Sequence, residues 1–227
     1  MSISVRVKQN DDFVDFDIPT EWKDMTLKYW TGLAEIINTN RKKTELKKNS
    51  VEETTDQAFI EQELNNIEFF DEIKLSKDIF CYVSGIDQKD IEKVNMEGIH
   101  KVINAMNVLQ EEYEPTGVRK FKFEEEEYYF PTENLTKNTY GDFIESTQLD
   151  MAIDSFKAGR FSILAKQMAI LCRKRGEKYD DEKIDEKAKK FENLTMDIVM
   201  EFGFFLTIQN SRLLETFHTY SEKQESQ

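Results

Sequence analysis

The sequence predicts an α+β fold, predominantly α-helical, with two short antiparallel β-hairpins packed on the helices. Two segments alternate apolar and polar residues as strands do, and each ends at a proline, Pro19 or Pro131. The rest of the chain carries apolar residues three or four positions apart, the period of an amphipathic helix. A length of 227 residues allows one compact unit or two intertwined subdomains.

The first hairpin pattern lies at the amino-terminal end. Apolar residues alternate with polar ones in two runs, at Ile3, Val5 and Val7 and then at Val14, Phe16 and Ile18. The turn-forming sequence Asn10-Asp11-Asp12 separates the runs. Thr26 is placed to cap a helix whose apolar stripe reaches Ile37. We therefore expect a β-hairpin-plus-helix segment over residues 1–38.

The middle of the chain divides by composition. Residues 39–56 are almost wholly Lys, Glu, Thr, Asn and Ser, which predicts a polar insert that is flexible or locally helical. Residues 57–114 form a helical segment, in which Gly85 ends one helix and Met96 begins the next apolar stripe. Asp87 is expected to cap the turn between them.

The second hairpin and its junction occupy residues 115–145. Phe121 and Phe123 alternate with polar residues, residues 124–127 form the turn, and Tyr128 to Phe130 return. Residues 146–227 carry long helical stripes. The cations of Arg173-Lys174-Arg175, followed by Gly176, predict a helix carboxyl terminus there.

Composition excludes several partners. The chain has 31 basic and 45 acidic residues, and its net charge of -14 would repel nucleic acid. It has no run of eighteen apolar residues, so we expect no membrane partner. Cys81 and Cys172 lie within apolar helical patterns, as small buried hydrophobes do in a reducing compartment.

Catalytic and ligand-binding motifs are missing from the sequence. Neither His100 nor His218 has a neighbour at metal-ligand spacing, and the eight glycines are scattered singly, without a phosphate-binding loop. We therefore expect no enzyme activity, no cofactor and no metal. Turnover that depended on His100 or Asp180 would contradict this expectation.

Aromatic side chains supply the partner-binding candidates. Adjacent aromatic residues on a helix or strand point in different directions, so one of each pair can remain outside the core. Tyrosine and tryptophan are favoured as interface anchors, although an aromatic that covers its own domain is the commoner outcome. The candidates are Trp22, Tyr29, Tyr128, Tyr140 and Phe204.

A short phrase repeats at the two hairpin ends and carries a resemblance. The sequence Ile18-Pro19-Thr20-Glu21 is similar to Phe130-Pro131-Thr132-Glu133. We interpret the two as a recurrent junction between a hairpin and the helix that follows it. The first copy, continued through Trp22-Lys23-Asp24-Met25-Thr26, resembles the opening of a group of tailed-bacteriophage proteins from the tail and virion assembly module. Ile79 to Ile91, the second hairpin and Thr139-Tyr140-Gly141-Asp142-Phe143-Ile144-Glu145 are similar to later parts of that group.

The resemblance implies a non-enzymatic protein that acts in tail or virion assembly, as an assembly chaperone or as a structural component of the particle. It implies contacts with other phage structural proteins and with copies of the chain itself, in the host cytoplasm during assembly or in the virion. The polar insert and the acidity depart from the group's pattern. The alternative function is an acidic cytosolic regulator or inhibitor that binds a basic protein site.

Overall fold

The computed structural model describes residues 2–9, 12–51, 57–106, 112–131, 140–151, 159 and 161–225. The strands are β1 (Ser2–Gln9), β2 (Asp12–Pro19), β3 (Lys120–Phe123), β4 (Glu126–Tyr129) and β5 (Arg173–Lys174). The helices are α1 (Leu27–Val51), α2 (Gln57–Ser84), α3 (Met96–Ala105), α4 (Tyr140–Met151), α5 (Phe161–Leu171), α6 (Ile184–Phe191) and α7 (Met196–Glu225). Helices predominate beside two small antiparallel sheets, which confirms the expected α+β class.

The chain divides into two compact units, each made of two stretches of sequence. The first unit comprises Met1–Glu112 with Ile153–Ser162, and the second comprises Tyr113–Ala152 with Ile163–Gln227. Each unit contains one of the two sheets.

The sheet of the first unit is the expected amino-terminal hairpin. β1 and β2 pair antiparallel in continuous register from Ser2↔Pro19 to Gln9↔Asp12. Alternation sends one face inward, and the core below it contains Val5, Val7, Ile18, Leu33, Phe80 and Val102. Asn10 and Asp11, the expected turn residues, lie outside the described residues.

Helix α1 begins as expected but extends further. The backbone N–H of Tyr29 donates to Oγ1 of Thr26 at 3.2 Å, the contact of an N-cap. The helix does not end near Asn38, because α1 continues to Val51. Residues 39–51 continue α1 and are therefore helical, one of the two forms expected of the polar segment 39–56, while 52–56 lie outside the described residues.

The helix ends in the rest of the first unit follow local sequence signals. Gly85 follows α2 with a φ of 71°, a left-handed conformation that glycine adopts without strain. The side chain of Asp87 accepts a hydrogen bond from the Lys89 N–H at 3.1 Å, as expected for the turn. Asn95 caps α3 by accepting from the Gly98 N–H, also at 3.1 Å.

The sheet of the second unit has the order β3-β4-β5, and β5 was not anticipated. Arg173 and Lys174 do not end a helix; α5 stops at Leu171 and these two residues pair with β4. A side-chain contact also joins β5 to α4: the guanidinium of Arg173 donates to the buried carboxylate of Asp142 at 2.5 Å. The β3–β4 hairpin turns through two residues rather than four, Glu124 and Glu125.

Aromatic rings fill the core of the second unit. Phe191 of α6 meets Tyr128 edge-on with ring centroids 5.1 Å apart, and Phe121 stacks on Tyr128 at 5.4 Å. Phe130 extends the cluster to α7, where it contacts Phe202 at 5.7 Å. The many phenylalanines of the sequence therefore cover the inner face of a small sheet, which has few residues of its own for a core.

Candidate protein-binding surface

Helices α1 and α2 form an antiparallel pair joined by polar side chains. The carboxylate of Asp71 on α2 accepts hydrogen bonds from Thr44 Oγ1 at 2.8 Å and from Lys47 Nζ at 2.5 Å. Lys47 lowers the pKa of Asp71, and Thr44 adds to the effect. Two further contacts extend the ladder along the helices: Asn40 with Asp78, and Lys48 with Glu68. The polar residues beyond Asn38 are thus those that recognise α2.

A close approach fixes one end of the same helix pair. The hydroxyl of Tyr82 on α2 donates to the backbone carbonyl of Tyr29 on α1 at 2.9 Å. A Cβ atom at Gly32 would overlap the Tyr82 ring, so glycine is what admits this ring against α1. The Tyr29 ring lies 5.4 Å from that of Tyr82.

The outer side of α2 carries large exposed apolar side chains. Phe59, Phe69, Phe70 and Ile73, here named the α2 apolar stripe, are exposed by 52%, 60%, 66% and 50%. At 100° per residue, Phe59, Phe70 and Ile73 lie within about 60° of one another around the helix, and Phe69 lies beside them. The Phe69 and Phe70 rings are in contact, with centroids 5.7 Å apart.

The partner-binding candidates chosen from the sequence do not include the α2 apolar stripe, because the sequence predicted only that residues 57–114 are helical. A signal was present, because Phe69 and Phe70 widen the apolar surface of α2 beyond a single face. A helix that is apolar on more than one side must bury more than one side against other elements or partners. Packing against α1 buries only part of the apolar surface of α2.

The two candidates of the first unit are half-buried. Trp22 packs edge-on against Trp30 with ring centroids 5.3 Å apart. Tyr29 packs against Tyr82, and its buried hydroxyl has no hydrogen-bond partner among the described residues. Burial raises the pKa of Tyr29 to about 12. Both side chains mainly cover their own unit.

Tyr128 is not an exposed anchor. It is only 8% exposed, because its strand position points it at Phe191, and the exposed member of the pair is Tyr129. Phe204 of α7 is 37% exposed and stacks on Tyr113 with centroids 6.1 Å apart. Tyr140 begins α4, but its side chain lies outside the described residues.

Glu201 is a buried carboxylate that organises the segment before β3. It accepts hydrogen bonds from the Tyr113 hydroxyl at 2.9 Å, from Thr116 Oγ1 at 2.7 Å and from the Gly117 N–H at 3.1 Å; the Thr116 N–H also donates to it. Burial alone would raise the pKa of Glu201, but these donors hold it below its ordinary value. The contacts also place Tyr113 against Phe204.

Two clefts are lined by both apolar and polar side chains, and several of their charged groups are paired. A cleft of about 420 Å³ between α1 and α2 contains Asp78, which accepts from Asn40 and Gln88. A second, of about 240 Å³, contains Lys187, which donates to Glu177 and to the Cys172 carbonyl, both at 2.8 Å. Asp78 and Lys187 therefore have structural partners within their own units.

The described residues offer little for covalent or metal chemistry. Among them, no three His, Cys, Asp or Glu side chains are grouped as metal ligands would be. Burial raises the pKa of both cysteine thiols, Cys81 and Cys172, which disfavours the reactive thiolate. His100 is exposed on α3.

Within the described part of the chain, no helix combines the length and apolar character needed to cross a bilayer. Comparisons with protein-family models, with curated proteins and with solved structures found no match. On α1 and α2, the described large apolar side chains that are exposed are Leu46 and the four of the α2 apolar stripe.

Proposed function

We propose that this chain is a non-enzymatic bacteriophage protein that acts in tail or virion assembly by binding other proteins. The supporting observation is the α2 apolar stripe, whose four side chains are each at least half exposed. Exposed apolar patches mark interaction sites. Phe69, Phe70 and Ile73 form such a patch, and Phe59 lies about 16 Å along the same side of α2. The bacteriophage context comes from the sequence resemblance around Pro19 and Trp22.

The α2 apolar stripe suits an apolar groove on the partner. Fully burying a phenylalanine side chain contributes about 1.5–3 kcal/mol, and Phe59, Phe69 and Phe70 each have half or more of their surface left to bury, so together they can anchor a partner. Helices α1 and α2 are already held together by the hydrogen bonds of Asp71 and Tyr82, so binding requires little rearrangement of the two helices. An assembly chaperone would use this surface to cover a partner before polymerisation, and a structural component would keep the contact in the particle.

Binding of a basic protein site through acidic residues is the second candidate function. The net charge of -14 favours it, and Glu61 and Glu68 are exposed on α2 on the side away from the apolar stripe. This contact would weaken steeply as salt is added, whereas burial of the stripe would persist.

Affinity purification of the tagged chain from phage-infected cells tests the proposal. The wild type is expected to retain phage structural proteins at high salt, and a Phe70→Ser/Ile73→Ser variant is expected to lose them. Glu61→Gln, on another side of α2, is the matched control and should bind as the wild type does. Retention of the same partners by the double variant would refute the role of the stripe.

The salt dependence and the particle composition separate the remaining roles. Partners that are lost from the wild type on adding salt, and equally from Glu61→Gln at low salt, would support the acidic regulator. Abundant peptides of this chain in purified particles would identify a structural component and refute a chaperone-only role.

A further inference from the structure

The β1–β2 hairpin has features of a surface that adds strands. Both strands are edges among the described residues, and each has eight residues paired in continuous register without a bulge. A two-stranded sheet leaves half of each strand's backbone N–H and C=O groups pointing away from its partner. Natural edges of this length are commonly covered or interrupted, so this hairpin has two edges that can pair.

The register indicates which backbone groups point outward. A two-residue loop makes Gln9↔Asp12 a hydrogen-bonded pair, and alternation makes Arg6↔Asp15 and Ser4↔Asp17 pairs that do not bond to each other through the backbone. The N–H groups of Ser4 and Arg6 are then directed out of the hairpin. The same alternation puts Pro19, which has no N–H, at a position that needs none.

The two edges differ in charge. On the solvent face, β1 carries Arg6, whereas β2 carries Asp15 and Asp17. Within one hairpin, Arg6 already pairs with Asp15 through two hydrogen bonds of 2.7 and 2.8 Å. A β2 edge beside a β1 edge repeats this opposite-charge arrangement, while β2 beside β2 brings aspartates together.

We propose that β2 of one copy pairs antiparallel with β1 of a second copy, so that the hairpins join into a continuous sheet. The charge complementarity of the edges selects a copy of this chain as the occupant. Phe13, which is 63% exposed on the same face, gains a cross-strand neighbour in the joined sheet. Because the two edges are different surfaces, the contact is heterologous and continues into a ring or an open fibre.

Sedimentation of the full chain over a range of concentrations tests this pairing. The wild type is expected to form oligomers that grow with concentration, and Asp17→Lys is expected to weaken the association about tenfold, the equivalent of about 1.4 kcal/mol. Asp17 lies opposite Ser4 rather than in the Arg6–Asp15 ion pair, so the hairpin itself is preserved. Glu92→Lys, an exposed change of equal charge outside the sheet, is the matched control and should retain association.

Backbone readouts make the test independent of charge. Ser4→Pro removes an outward N–H and should prevent oligomers while leaving the circular dichroism spectrum unchanged. Hydrogen exchange should show concentration-dependent protection of β1 and β2, and not of α2. A monomer at all concentrations, or equal effects of Asp17→Lys and Glu92→Lys, would overturn the proposal. If Phe70→Ser lost self-association while Asp17→Lys and Ser4→Pro retained it, the proposal would also be overturned, because the α2 apolar stripe would then be the self-association surface.

Discussion

Tyr29 and Tyr82 lie in contact but use their hydroxyl groups differently. The Tyr82 hydroxyl donates to a backbone carbonyl, whereas the buried Tyr29 hydroxyl has no partner among the described residues. We expect Tyr82→Phe to lower the free energy of unfolding by about 1 kcal/mol through the lost hydrogen bond. Tyr29→Phe should leave it unchanged or raise it by up to about 1 kcal/mol, because a buried unpaired group is removed. Urea unfolding of both variants measures the difference, and equal losses would contradict it.

Glu201 predicts a pH-dependent contribution to stability. Its pKa in the folded chain is lowered, so its contribution is present above the unfolded pKa and is lost as pH falls through the folded value. Glu201→Gln replaces a buried carboxylate with a neutral amide that has one acceptor oxygen, so charge-assisted bonds are lost and the change should cost about 2 kcal/mol at neutral pH. The difference in unfolding free energy between the variant and the wild type should become smaller below pH 4.5, the ordinary pKa of a glutamate.

Thermal unfolding measured from neutral to acidic pH tests the Glu201 prediction. Glu192→Gln is the control, because Glu192 is exposed in the same unit and should show no such narrowing. If the difference in stability between wild type and Glu201→Gln stayed constant across the pH range, the four hydrogen bonds, rather than the charge, would account for the lost stability.

At the scale of elements, the α1–α2 pair predicts opposite effects for two glycine substitutions. Gly32 and Gly203 are both inside helices, where alanine is intrinsically favoured by roughly 0.5–1 kcal/mol. A Cβ at Gly203 meets open space, so Gly203→Ala should stabilise by that amount. A Cβ at Gly32 overlaps Tyr82, so Gly32→Ala should destabilise by about 1–3 kcal/mol. Chemical denaturation distinguishes them, and stabilisation by Gly32→Ala would show that the helices separate readily.

The β3–β4 turn contains a sequence that does not suit its conformation. Glu124 and Glu125 have φ angles of 48° and 66°, the left-handed region that a two-residue hairpin turn demands. A glutamate there is strained by roughly 1–2 kcal/mol, and Asn-Gly is the preferred pair. Glu124→Asn/Glu125→Gly should therefore raise the melting temperature. Glu124→Ala, which removes a charge but keeps a Cβ, should not, and an equal rise in both would indicate charge repulsion instead.

Elements differ in how well local sequence predicts them. The first hairpin and the Thr26 cap were predicted because alternation and capping act between near neighbours. The end of α1 was not, because the role of Thr44 and Lys47 depends on Asp71 across the helix pair. β5 has only two residues, too few for any alternation, and exists through its pairing with β4.

For the whole molecule, the candidate surface was the least predictable part. Apolar periodicity gave the helical nature of α2 but not which apolar side chains would remain uncovered, since that depends on where α1 lies. Of the earlier candidates, Tyr128 shows the same limit: alternation predicted that one member of the pair would be buried, and only the position of Phe191 decides which.

The net charge of -14 predicts a salt effect on the stability of the whole chain. Exposed ion pairs such as Arg6–Asp15 contribute little each, whereas repulsion among excess acids opposes the compact state throughout. Raising salt to about 150 mM shortens the screening distance to about 8 Å and should raise the melting temperature. Differential scanning calorimetry at low and at physiological salt measures this, and a fall would mean that the ion pairs dominate.

The late position of β5 in the chain has a consequence during synthesis. The β3–β4 hairpin leaves the ribosome roughly 40 residues before Arg173 and Lys174, an interval of about 2–8 s at 5–20 residues per second. During that time β4 presents an open edge. Glu126 and Glu127 of β4 are charged, and charged residues on an exposed strand disfavour pairing with a strand of another molecule. We therefore expect the acids of this hairpin to keep β4 from pairing with other chains until β5 has been synthesised.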